Sequence, residues 1–99
     1  MVKHIIIWTL KEMAEDEKTK VKEGIKSGLE GLKGVVPQIK DIKVVIDRLP
    51  SSTGDLMLDS TFESAEDLAG YSEHPSHVAV ANEKVRPYTA NRACLDFEI

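Results

Sequence analysis

Cysteine is almost missing from this chain. Cys94 stands alone among 99 residues, so no internal disulfide can form, and without a Cys-x-x-Cys pair nothing in the sequence argues for a zinc or redox centre. Positive charge is also short: 13 Lys and Arg against 17 Asp and Glu leave a formal charge of −4. That is the wrong sign for tracking a phosphate backbone, and nucleic acid is not expected as a partner. The longest wholly apolar run, Ile5 to Trp8, falls far below the roughly 20 residues of a membrane helix, so no membrane partner is expected either. The N-terminus has neither the apolar segment nor the small-residue cleavage site of a secretory signal, and a cytoplasmic location is the expectation. No repeat, linker or low-complexity stretch divides the chain, which reads as one domain over residues 1–99.

What is present is patterned. Residues 2–10, VKHIIIWTL, are β-branched and aromatic and read as a strand. Val2, His4, Ile6, Trp8 and Leu10 share one face, and Lys3, Ile5, Ile7 and Thr9 the other. Both faces carry apolar groups, so both need cover. From about Ala14 to Leu32 the spacing lengthens to Val21, Ile25, Leu29 and Leu32, one face of an amphipathic helix, with Gly34 as its expected stop and Pro37 beyond. Residues 39–49 read as a second strand with Ile42, Val44 and Ile46 on one face, and residues 50–54 as a loop. Residues 55–63 alternate again as a third strand. Ser64 is the expected cap of a short helix through about Tyr71. Pro75 opens another helix, striped by Val78, Ala81 and Val85 and bent or ended by Pro87, before a fourth strand over 91–98.

The order β-α-β-β-α-β is that of an α+β, ferredoxin-like protomer, with both helices on one face of an antiparallel sheet. A domain of this size buries only roughly two-thirds of its unfolded surface. The sheet face without helices still carries isoleucines or tryptophan, so a homodimer with the sheets face to face, a dimeric α+β barrel, is the expected cover.

The densest polar cluster is Tyr71-Ser-Glu-His74-Pro75-Ser-His77, joined by His4 on the first strand; it holds every histidine of the chain. Histidine suits proton transfer near neutrality, and a tyrosine hydroxyl can hold a carbonyl or a developing oxyanion. Together they can enolise a carbonyl compound without a cofactor. The plainer reading is structural: His77 packs at a helix start, Tyr71 anchors a loop and His74 is solvated. His74 and His77 stand three apart, but the proline after His74 biases it away from helix, so their rings need not converge and no metal is expected. Cys94, on the alternating segment ACLDF, reads as an inert strand residue rather than a reactive thiol. Gly24, Gly28 and Gly31 form a stripe along the first helix, and their missing side chains either admit another backbone or leave a hollow for a ligand.

The segments VKHIIIWTLKE, LKGVVPQIKDIKV, STFESAEDLAGYSEHPSHVAVANEKVRPY and CLDFEI together resemble the stress-responsive A/B barrel family, also called Dabb, nearly end to end. The Tyr-x-x-His-Pro-x-His-Val stretch is the most specific part. The resemblance implies a dimeric α+β barrel of ferredoxin-like protomers, and a family most of whose members have no assigned reaction. It also includes a cofactor-free plant cyclase that closes a linear polyketide by intramolecular aldol chemistry. By that likeness His77 is the base, Tyr71 the carbonyl-orienting donor and His4 a cavity-lining histidine. Leu56 stands near a position that is histidine in the cyclase, and the first helix has glycines where the cyclase is bulky, so the same substrate is not expected.

Three functions follow. The first is a dimeric barrel that binds a small apolar or carbonyl-bearing molecule between helices and sheet, with no turnover. The second is a cofactor-independent cyclase, isomerase or lyase using His77 and Tyr71. The third, by likeness to other dimeric ferredoxin-like barrels, is a cofactor-free monooxygenase.

Overall fold

The computed structural model describes residues 1–99. Four strands, β1 (Val2–Leu10), β2 (Ile39–Val45), β3 (Leu56–Phe62) and β4 (Thr89–Glu98), form one antiparallel sheet in the order β2-β3-β1-β4. Helices α1 (Glu15–Glu30), α2 (Ala65–Glu73) and α3 (Pro75–Val80) connect them. This is the ferredoxin-like arrangement. β1 holds the centre because its β-branched run pairs on both sides, with Ile6 opposite Leu58 of β3 and Cys94 of β4.

The helices cover the face that carries Val2, His4, Ile6, Trp8 and Leu10, all buried. Ile25, Leu29 and Leu32 from α1 and its following turn, and Leu68 and Tyr71 from α2, close onto Val44, Leu58 and Phe62 beneath them. At the far end of β1, Asp55 serves as a clasp: its carboxylate accepts from the Leu10 N–H at 2.7 Å and its own N–H donates to the Trp8 carbonyl.

Several element ends differ from the sequence reading. α1 stops at Glu30, capped by the Gly31 N–H in right-handed geometry, and Gly34 takes the positive φ of 86° in the turn that follows. Leu32 continued the apolar period past the real stop, so periodicity placed the end too late. β2 ends at Val45, where its pairing with β3 runs out opposite Met57, and Leu49 is exposed in the loop. Ser64 caps α2 as expected, its Oγ accepting from the Asp67 N–H at 3.1 Å.

The helix from Pro75 is not uniform. After α3 it widens into a π turn over Ala81–Val85 and tightens into a 3-10 turn over Arg86–Tyr88. Pro87 has no N–H to offer and crowds the carbonyl of residue 83, so the regular ladder cannot reach it. The Arg86 N–H reaches back five residues to Ala81. Of the expected stripe, Ala81 and Val85 are buried and Val78 is exposed.

Candidate functional site

β1, α2 and α3 bring His4, Tyr71 and His77 to one cavity of about 350 Å³. Its apolar wall is Ile6, Trp8, Leu29 and Leu58, and Arg86 and Arg92 complete the rim. β4 contributes Thr89 and Arg92 to the lining and is exposed along most of its length.

Tyr71 lies at the centre. Its ring is fully buried between Phe62, 5.0 Å away, and His77, 4.3 Å away, and its hydroxyl has no hydrogen-bond partner. Burial pushes the phenol up to about 12, so Tyr71 keeps its proton at neutral pH and stands as a donor.

His77 is oriented by its own helix junction. Its Nδ1 lies 3.0 Å from the Ser72 carbonyl, which can only accept, so Nδ1 carries the hydrogen and Nε2 is the basic nitrogen. Burial lowers the His77 pKa, and the charges of His4, Arg86 and Arg92 lower it further against the opposing Ser72 bond. His77 is therefore a neutral base at neutral pH.

His4 is fixed the same way by a different partner. Its Nδ1 lies 2.5 Å from Oδ1 of Asp96, directly across the β1–β4 pairing. The Asp96 carboxylate accepts from Nδ1–H and fixes the orientation of the ring, the relation that orients a catalytic histidine. Sequence reading named His4 but missed Asp96, Arg86 and Arg92. The alternation of NRACLDFE does put Arg92, Cys94 and Asp96 on one face, and the register opposite Trp8, Ile6 and His4 is what aims that face at the cavity.

His74 stays outside this group. Its Nδ1 accepts from the Ser76 N–H at 3.1 Å and so caps α3, which leaves His74 and His77 committed to different backbone groups. The trio able to approach a cation is instead His4 Nδ1, Cys94 Sγ and Asp96 Oδ1, all within 4.8 Å of one another. Their geometry is that of a hydrogen-bonded cluster, with Nδ1 held by the carboxylate. Burial and the Asp96 charge push the Cys94 thiol up, which keeps it protonated and poorly nucleophilic although it is exposed.

The glycine stripe does not line this cavity. A Cβ on Gly28 would stand 3.0 Å from Val80, so its absence lets α1 close against α3. Only a shallow groove of about 280 Å³ remains beside Gly24, with no histidine or tyrosine hydroxyl pair converging on it. Leu56, opposite Trp8, is part of the core.

Comparison with known proteins identifies the fold and the family. The chain is 31% identical over 101 residues to a stress-response A/B barrel domain-containing protein of Arabidopsis thaliana, a match over 98% of this chain and 36% of that protein. It thus spans about a third of that relative's length. A dimeric ferredoxin-like protein of unknown function from Bacteroides fragilis is 31% identical and superimposes with a TM-score of 0.92, over 99% of this chain and 95% of that one. The hydroxynitrile lyase of Passiflora edulis shares the fold at 20% identity and a TM-score of 0.74, over 99% and 92% of the two chains. Residues 2–99 match the Stress responsive A/B Barrel Domain, Dabb, and the chain belongs to that family.

Proposed function

We propose that this protein binds a small carbonyl-bearing molecule in the cavity and that His77 and Tyr71 enolise it without a cofactor. The observation that carries the reading is Tyr71, a residue of the cavity wall whose buried hydroxyl has no partner in the folded chain. A buried hydroxyl without a partner is costly, and a carbonyl oxygen is the acceptor that would complete it.

The step is short. His77 Nε2 takes a proton from the carbon beside the carbonyl, the C–H electron pair forms the new C=C bond as the C=O π pair moves onto oxygen, and the enolate oxygen is held by the Tyr71 O–H. Return of the His77 proton to another atom of the enolate completes isomerisation; attack of the enolate carbon on a second carbonyl, whose alkoxide then takes the His77 proton, completes aldol closure. A positioned base contributes about 10²–10⁴-fold and one oxyanion donor about 10²–10³-fold. His4, held by Asp96, is a second polar wall able to relay a proton.

Exchange of α-protons in D2O, followed by NMR on acetylacetone and on aryl ketones, tests this directly. The expected result is acceleration by the wild type and its loss in His77→Ala, with the melting temperature nearly unchanged. Binding without exchange would leave the cavity as a carrier of the same ligands, and oxygen consumption with a simple quinol would point to monooxygenase chemistry instead. Loss of several degrees of melting temperature in His77→Ala would assign His77 to the fold.

We also infer that the working unit is a homodimer. The sheet face away from the helices exposes Ile7, Leu95 and Phe97, and the Bacteroides fragilis protein is described as dimeric.

A further inference from the structure

We propose that the ligand of this cavity is an acid: Arg86 and Arg92 hold its carboxylate at the rim while its carbonyl reaches Tyr71. The inference rests on the carbonyl reading above and names the class of molecule.

The chain has three arginines, and they are used differently. Arg48 is committed to structure, donating to the Ser52 and Gly54 carbonyls and lying 3.6 Å from the Asp55 carboxylate. Arg86 and Arg92 both border the cavity, from the 3-10 turn and from β4, and neither forms a salt bridge. Arg86 donates only to the neutral Asn82 amide. No Asp or Glu lines the cavity, and the nearest carboxylate to its histidines, Asp96, is taken by His4.

Two guanidinium groups without a carboxylate partner thus stand at one opening of a chain of formal charge −4. A guanidinium presents a planar fork of N–H donors that fits a carboxylate far better than a neutral oxygen. Inside, Ile6, Trp8, Leu29 and Leu58 offer apolar walls, and Tyr71, whose buried hydroxyl has no partner, lines the cavity with them. A ligand that satisfies every part has a carboxylate at one end, an apolar body and an enolisable carbonyl between. The 2-oxo acids and 3-oxo acids with a short alkyl or aryl group are that class.

Calorimetric titration with phenylpyruvate and with its uncharged methyl ester tests the assignment. The acid is expected to bind at least about tenfold more tightly than the ester, with an affinity that falls as salt rises. The variant carrying Arg86→Gln and Arg92→Gln is expected to bind the two alike. Equal affinity for acid and ester in the wild type, failure of the acid to bind, or an acid preference that survives in the double variant would overturn the proposal. The salt dependence is read on the wild type and stands even if the variant folds poorly. Exchange of the benzylic protons in the same samples separates the two readings. Arginine-dependent binding of the acid without exchange keeps this proposal and sinks enolisation, whereas equal binding with exchange does the reverse.

Discussion

Tyr71 carries a hydroxyl that folding buries without a partner, a state that costs about 1–3 kcal/mol. Removing that atom should therefore not harm the fold. Tyr71→Phe is expected to melt at the same temperature as the wild type or slightly above it, while α-proton exchange falls by about 10²-fold. A clear loss of stability would show that the hydroxyl is satisfied within the protein and is not waiting for a ligand. His77 gives the matching prediction in pH. Its pKa is lowered in the folded chain, first by burial and then by His4, Arg86 and Arg92. Below the unfolded value of about 6.5, the unfolded chain takes up the proton more readily than the folded one. The stability linked to neutral His77 is therefore whole above that value and lost as pH falls toward the folded pKa. Thermal melts from about pH 7.5 down to about pH 5.5 should show a steeper decline for the wild type than for His77→Gln. Parallel declines would assign the drop to other groups.

Between elements, α1 clamps the edge strand β2 with side-chain hydrogen bonds. Glu30 accepts from the Val44 N–H at 2.9 Å and from Lys26 Nζ at 2.7 Å, and Lys26 also donates to the Val44 carbonyl at 2.8 Å. One residue of an otherwise open edge is thus paired with side chains, which blunts it as a template for another strand. Burial alone would raise the Glu30 carboxyl, but these donors outweigh it and the net shift is downward. Glu30→Ala is expected to cost about 1 kcal/mol, a loss of several degrees in melting temperature, with faster amide exchange at Val44. Unchanged exchange there would mean that water replaces the carboxylate without cost. This clamp was invisible in the sequence, since Glu30 and Lys26 look like any solvated i, i+4 pair until β2 is laid beside them. The same limit governed the cavity. Periodicity located the strands, both helical regions and the Tyr-x-x-His-Pro-x-His segment, because apolar spacing and capping residues act within a few positions. Arg92 and Asp96 depend on the pairing of β4 with β1, a relation set across some ninety residues of chain, as the separation of 92 between His4 and Asp96 shows.

For the whole molecule, the decisive question is what covers the outer face of the sheet. Ile5 and Ile7 of β1 align with Leu95 and Ala93 of β4 and with Asp59 and Met57 of β3, and Leu95 and Phe97 are largely exposed. Lys3 and Asp59 form an ion pair on this face at 2.7 Å. A second copy placed face to face buries the apolar strip and surrounds that pair, and a paired charge at such a place fixes register even where it adds little stability. The cavity opens on the opposite side of the sheet, since Arg92 and Asp96 alternate with Ala93, Leu95 and Phe97 along β4. The proposed assembly and the proposed ligand site therefore use separate faces of one strand. Light scattering on the wild type at micromolar concentration should give twice the 11.0 kDa protomer mass. Leu95→Lys should give the protomer mass, because it puts a charge into the apolar strip that a second copy would have to desolvate, while Asp96 still reaches His4. A wild type that runs as a stable monomer would overturn the dimer. A monomeric Leu95→Lys that still binds phenylpyruvate would show that one protomer builds the whole site, and loss of binding on dissociation would show that the partner completes its rim.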